Sequence, residues 1–142
     1  MRFRKTRLLV ASLLAMVFAA VAQKPAQGVA DPAVQAFASR FQAAMRADDK
    51  EKLAAMIAFP VEFWTVDANN TSEVSIKDRS DFLARYSTLV TPRMRKNIAQ
   101  AKLSGSSTGN YLSWHDKDSE YTFDIERRDG EYRVTSYSVG AY

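Results

Sequence analysis

The 142-residue chain reads as an α+β domain, with N-terminal helices packed in a curved, mostly antiparallel sheet. Three observations predict this. Apolar residues recur at intervals of three and four through the first half, as one buried helix face requires. Near the C-terminus they switch to strict alternation, the period of a half-buried strand. Between the last two such runs stands Asp129-Gly130, a hairpin signal because both turn positions take positive φ. Helices first and antiparallel strands last give helices segregated to one face of a sheet.

Asp31-Pro32 opens the first helix. Aspartate accepts a hydrogen bond from an otherwise unpaired N–H, and proline loses nothing at the first helical position. Val34, Phe37, Phe41, Ala44 and Met45 then form one apolar stripe. Asp48-Asp49 breaks the pattern and caps a second helix from Lys50 to about Ala58, burying Leu53, Met56 and Ile57 and halted by Pro60. Val61–Val66 is β-branched and aromatic and reads as a strand, Asp67–Glu73 as a loop, and Val74–Lys77 as a short second strand. Asp78, with Asp81 three residues on, starts a third helix whose apolar side is Phe82, Leu83, Tyr86, Leu89 and Val90. Thr91-Pro92 starts a fourth through about Lys102, and Ser104–Asn110 reads as loop.

The rest favours strands. Tyr111–His115 is followed by a turn at Asp116–Ser119. Glu120–Arg128 then places Tyr121, Phe123 and Ile125 on one face and Thr122, Asp124 and Glu126 on the other. Glu131–Val139 changes phase: Tyr132 and Val134 share one parity, Tyr137 and Val139 the opposite. Either a bulge near Thr135-Ser136 restores a single apolar face, or the strand is buried on both sides.

Met1–Arg7 carries four cations (Arg2, Arg4, Lys5, Arg7) and no acid, and Leu8–Ala22 is apolar except for Ser12. That run is too short to span a bilayer and ends in Ala20-Val21-Ala22, the small residues signal peptidase needs. Residues 1–22 are therefore expected to be a cleaved signal peptide, residues 23–30 a flexible leader and residues 31–142 a single domain. The whole chain has 20 Lys and Arg against 16 Asp and Glu. All four excess cations lie before Gln23, so the remainder is formally neutral. It lacks the general basic excess that nucleic-acid binding uses. Charge is uneven along it: Lys77–Lys102 holds seven bases and two acids, Asp116–Glu131 seven acids and three bases. With no cysteine, disulfides, thiolate metal sites and an acylated-cysteine anchor are all closed.

Two segments carry a resemblance. FASRFQAAMRADDKEKLAAMIAFPVEFW (Phe37–Trp64) and SDFLARYSTLVTPRMRKNI (Ser80–Ile98), with the terminal hairpin, are similar to the nuclear transport factor 2-like superfamily. That cone-shaped superfamily includes ketosteroid isomerases, scytalone dehydratase, SnoaL-like proteins and many small secreted domains. The resemblance implies a cone whose mouth often encloses a small-molecule pocket, with tyrosines and carboxylic acids doing the chemistry in its enzymes. None of those catalytic motifs can be matched here residue by residue, so no catalytic residue is assigned.

Glu62 and Asp67 are the carboxylates near the first strand, and Tyr86, Tyr111 and Tyr121 the phenols that could donate to an oxyanion. Each has a simpler place: Glu62 alternates with Val61 and Phe63 and so faces water, Asp67 belongs to a turn, and buried tyrosines commonly serve packing. His115 is the sole histidine, and a cluster of His115, Asp116 and Asp118 within one turn is weak grounds for a metal site. No metal and no cofactor are expected. The binding candidates are Trp64, Tyr86, Trp114 and His115, with Arg93 and Arg95 in a basic cluster beside Lys96. The expected function is that of a periplasmic or secreted, non-catalytic binding protein. It would engage a protein partner or a small apolar ligand through the cone mouth or sheet face, free of the membrane after cleavage, with a homodimer open to it. The alternative is a cofactor-independent isomerase, dehydratase or hydrolase using a carboxylate and tyrosine in the cone. Intact-mass measurement of the exported protein should give a chain beginning near Gln23; retention of Met1–Ala22 in a membrane fraction would contradict this.

Overall fold

In a computed structural model describing residues 31–67, 70–106, 109–117 and 119–141, six strands form one sheet in the order β2-β1-β6-β5-β4-β3. The elements run α1 (Pro32–Arg46), α2 (Lys50–Ala55), β1 (Ile57–Asp67), β2 (Asn70–Ile76), α3 (Arg79–Leu89) and α4 (Pro92–Asn97). A 3-10 turn (Ile98–Gln100) then leads into β3 (Lys102–Ser106), β4 (Gly109–Asp116), β5 (Ser119–Arg128) and β6 (Glu131–Ala141). All pairings are antiparallel except β1 with β6. This is the α+β, cone-like architecture expected from the sequence.

The helix starts form as expected. Asp31 accepts from Ala33 N–H at 2.9 Å, Asp49 from Lys52 N–H at 3.1 Å, Asp78 from Asp81 N–H at 2.9 Å and Thr91 from Met94 N–H at 3.2 Å. Asp81 reaches back to Lys77 N–H at 3.2 Å, one residue beyond the usual capping-box target. α1 buries the expected Val34, Phe37, Phe41, Ala44 and Met45.

β6 carries the bulge. Asp124 opposes Ser136 and Ile125 opposes Val134, so Thr135 is the extra residue. Val134 and Tyr137 consequently share the concave face, 0% and 4% exposed, and the two-sided burial alternative is set aside. Asp129 and Gly130 make the preceding turn at φ 50° and 84°, with the positive φ of a type I′ hairpin.

Several boundaries differ from expectation. α2 ends at Ala55 rather than near Ala58, and β1 starts at Ile57, before Pro60 rather than after it. β6 captures this stretch: Val134 N–H donates to Met56 O at 3.0 Å and Ile57 pairs with Val134. The register shifts between Ile57 and Glu62 across the cis Phe59-Pro60 bond, so proline occupies an irregularity where it withholds no ladder hydrogen bond. β2 begins at Asn70, inside the expected loop, because Asn70–Glu73 pair with Trp64–Asp67. The fourth helix stops at Asn97, and Lys102–Ser106 forms an edge strand on Gly109–Ser113 in place of the expected helix end and loop. An edge strand is held by backbone groups on one side, so Ser and Gly can occupy it without apolar alternation. Gln42 on α1 secures the approach to it, donating to the carbonyls of Ile98 at 2.9 Å and Ala101 at 3.1 Å.

The core lies between α1 and the concave face. Phe41 meets Phe123 edge-on, ring centroids 5.1 Å apart. Phe41→Ala or Phe123→Ala should cost about 3–5 kcal/mol through lost burial and a residual cavity. Thr122→Ala, on the opposite face of β5, should stay within about 0.5 kcal/mol. Urea melts check both.

Candidate functional site

The expected site residues fall into three separate places. Trp114 lies on the concave face, 3% exposed. It stacks on Tyr121 with centroids 5.1 Å apart and planes 8° apart, and stands 5.8 Å from Phe123 and 6.5 Å from Tyr137. Trp114, Phe123 and Tyr137 of this aromatic wall are buried. The gap among Phe41, Met45, Leu53, Ile57, Phe63, Phe82, Val90 and Phe123 amounts to about 10 Å³, at or below the space of one water. No polar or charged residue is buried among the described residues. Burial raises the Tyr137 phenol above its ordinary 10.0, with a smaller push from Tyr121.

The second place joins residues that the sequence left apart. The Tyr86 hydroxyl donates to Asp48 Oδ1 at 2.8 Å, and Arg95 pairs with Asp48 Oδ2. Asp48 can serve both because it turns the chain at φ 57° between α1 and α2, a conformation aspartate tolerates. Partial burial raises the Tyr86 phenol, the Asp48 hydrogen bond and charge add to this, and Arg95 opposes it. Arg93 reaches instead to Asp116 at the end of β4. The Asp116 carboxyl is lowered, first by the Lys117 N–H at 2.8 Å and then by Arg93. Arg93 and Arg95 are therefore spent on two different acids. The cationic run in the sequence is not one continuous cationic surface, and α3 and α4 are tied through it to the α1–α2 corner and the sheet.

The third place is the outer sheet face. Val61 and Phe63 point inward, leaving Glu62 and Trp64 outside. Trp64 is 37% exposed, the large apolar side chain left open among the described residues. Glu62 accepts from Ser75 Oγ at 2.8 Å, and Asp124 accepts from Ser136 Oγ. His115 stands on the same face of β4, 3.8 Å from Glu120. Tyr111 faces out opposite Asp124. Asp67 ends β1, opposite Asn70, and Asp118 lies outside the described residues, as do residues 1–30. Among the described residues no group of three or more His, Cys, Asp or Glu could hold a metal, and no helix is long and apolar enough to cross a membrane.

Comparison with solved structures bears out the nuclear transport factor 2-like fold. The extracytoplasmic function sigma factor SigJ of Mycobacterium tuberculosis matches with a TM-score of 0.51 at 16% identity, over 79% of this chain and 43% of that one; the chain thus spans under half of that protein. A nuclear transport factor 2-like protein with a cystatin-like fold from Novosphingobium aromaticivorans matches with a TM-score of 0.42 at 11% identity, over 77% of this chain and 79% of that one. A hexachlorocyclohexane dehydrochlorinase matches with a TM-score of 0.43 at 15% identity, over 77% and 82%. At such identities the likeness is one of fold. No family model and no curated protein matches the chain.

The two most strongly shifted phenols set an alkaline limit. Unfolded tyrosine ionises near pH 10, whereas folded Tyr86 and Tyr137 keep their protons above it. Their contribution to stability is complete below about pH 10 and is lost as pH rises through the folded values. Phenolate absorbance should show tyrosines that ionise only as the chain unfolds. Tyr86→Phe should remove one of them and cost about 0.5–1.5 kcal/mol, as one lost hydrogen bond does.

Proposed function

We propose that this chain is an exported, non-catalytic binding protein that engages a protein partner through the outer face of its sheet. Export rests on the basic, apolar and Ala-x-Ala segments in order. The observation that carries the binding reading is the division between the two faces. Among the described residues the concave face carries packed aromatic rings, with a gap of about 10 Å³ beside Phe41 and Phe123, while the outer face, which also carries Glu62 and Ser75, leaves Trp64 exposed. Close packing on the concave side supports the sheet face over the mouth. An exposed tryptophan on a strand face that also carries Glu62, Glu73 and Ser75 suits a protein interface, where one aromatic anchor supplies much of the affinity and smaller groups adapt around it.

The isomerase, dehydratase or hydrolase alternative needs a carboxylate beside a phenol in a water-excluded pocket. Glu62 instead faces outward and is held by Ser75. The closest carboxylate–phenol pair, Asp48 with Tyr86, lies at an exposed helix corner.

The reading is tested with partners captured from periplasmic extract and then titrated in purified form. Trp64→Ala should weaken saturable binding by about tenfold or more with the fold intact, since hot-spot truncations cost about 2 kcal/mol or more. Glu62→Gln and His115→Ala should leave it within about threefold, as rim contacts do. Unchanged binding in Trp64→Ala would remove the sheet face from consideration. Turnover of a small substrate that is lost in Glu62→Gln would establish the enzyme instead.

A further inference from the structure

A groove of about 410 Å³ runs outside the packed cone, between α1 and the β5–β6 hairpin. It exists because the residues along it are small: Ala33 and Ala36 of α1 and Ala55 at the end of α2. Phe37 and Met56, 3% and 9% exposed, floor it, and the Tyr132 ring lies along it. The Tyr132 hydroxyl donates to Asp31 Oδ2 at 3.1 Å, pinning the start of α1 to β6.

Three guanidinium groups and one carboxylate line the groove: Arg40, Arg127, Arg133 and Glu131. Arg133 is already engaged by the Ala55 carbonyl and by Glu131 Oε2 at 2.6 Å. Arg127 commits only its Nε, to the Gly130 carbonyl at 3.1 Å, which fixes the guanidinium plane and leaves its outer edge open. Arg40 forms no ion pair with the described residues. Two uncommitted guanidinium groups thus stand beside an apolar trough. A planar guanidinium holds a carboxylate through paired, charge-assisted hydrogen bonds, and alanine walls accept a chain or ring of carbon.

We propose that this groove binds a small carboxylate carrying an apolar body, with Arg40 and Arg127 pairing the carboxylate and Tyr132 and the alanine walls covering the body. The site is separate from the outer sheet face and does not depend on the function proposed for it.

Decanoate is the probe, titrated into the purified protein and followed by the side-chain NMR signals of Phe37, Tyr132, Arg40 and Arg127. Saturable shifts at these residues are expected. Decan-1-ol, with the same body and no charge, should bind roughly tenfold or more weakly, as loss of a charged hydrogen bond implies. Arg40→Gln with Arg127→Gln should weaken decanoate by a similar factor and leave decan-1-ol unchanged. Ala36→Leu, which fills the trough from an exposed helical position, should block both probes. If the double variant fails to fold, rising salt must weaken decanoate on the unaltered protein and spare decan-1-ol. Absence of saturable shifts, equal binding of the two probes, or an unaffected folded double variant would overturn the proposal. So would contacts from residues 23–30 to Phe37 and Tyr132 in the free protein, which would give the groove to the protein's own chain.

Discussion

The single residue inserted at Thr135 decides the arrangement of the sheet. Side chains alternate along a strand, so an uninterrupted β6 would put Val134 and Tyr137 on opposite faces. The bulge returns Tyr137 to the concave side. There its ring lies 4.6 Å from Phe123, 5.5 Å from Phe63 and 6.5 Å from Trp114, centroid to centroid. One phenol therefore touches aromatic groups on β1, β4 and β5. Because β6 is also the strand joining the β1–β2 pair to the β5–β4–β3 meander, loss of that register would separate the halves of the sheet and expose their apolar faces.

Filling the concave side with rings moves the polar chemistry elsewhere. A carboxylate placed among Phe41, Phe63, Phe123 and Trp114 would lose hydration without gaining a partner, at a cost no exposed pair could offset. The described acids accordingly sit on the outer face, at helix starts, in turns, at strand ends as Asp116 does, or at the Asp48 corner, none of them buried. Asp48 shows how such an acid serves structure: it accepts from Tyr86 and pairs with Arg95, fastening α3 and α4 to the α1–α2 turn. Among the described residues, the outer face around Trp64 and the arginine groove beside α1 stand open to other molecules. They differ in character, the first carrying the Ser75 and Ser136 hydroxyls beside acids, the second concave and lined by three arginines.

Legibility followed the range of the interaction. Caps act over three residues and alternation over two, so Asp31, Asp49, Asp78, Thr91 and the β5 face could be read directly. The phase change in β6 was also visible, because a bulge leaves its mark in the parity of Tyr132, Val134, Tyr137 and Val139. The start of β1, the first half of β2 and the whole of β3 were missed. The start of β1 depends on pairing with the distant β6, whereas β2 and β3 pair with their neighbours β1 and β4 through backbone groups, for which Asn70 and Ser104 give no side-chain signal. The candidate residues divided in the same way. Trp64 outside and Trp114 inside follow from the parity of their own strands, whereas the separate partners of Arg93 and Arg95 lie 23 and 47 positions away in sequence.

By itself the sequence determined the helix starts, the terminal hairpin, the apolar stripe of α1, the α+β class and the neutrality of the chain beyond Ala22. These depend on local backbone geometry and on composition, which need no distant partner. Tertiary structure alone decided that the described rings pack closely on the concave face, that the basic run divides between Asp48 and Asp116, and that Arg40 and Arg127 line one alanine-walled groove. The reason is physical. Whether rings leave a cavity, and whether a guanidinium is spent or open, depends on how elements distant in sequence are brought together in space.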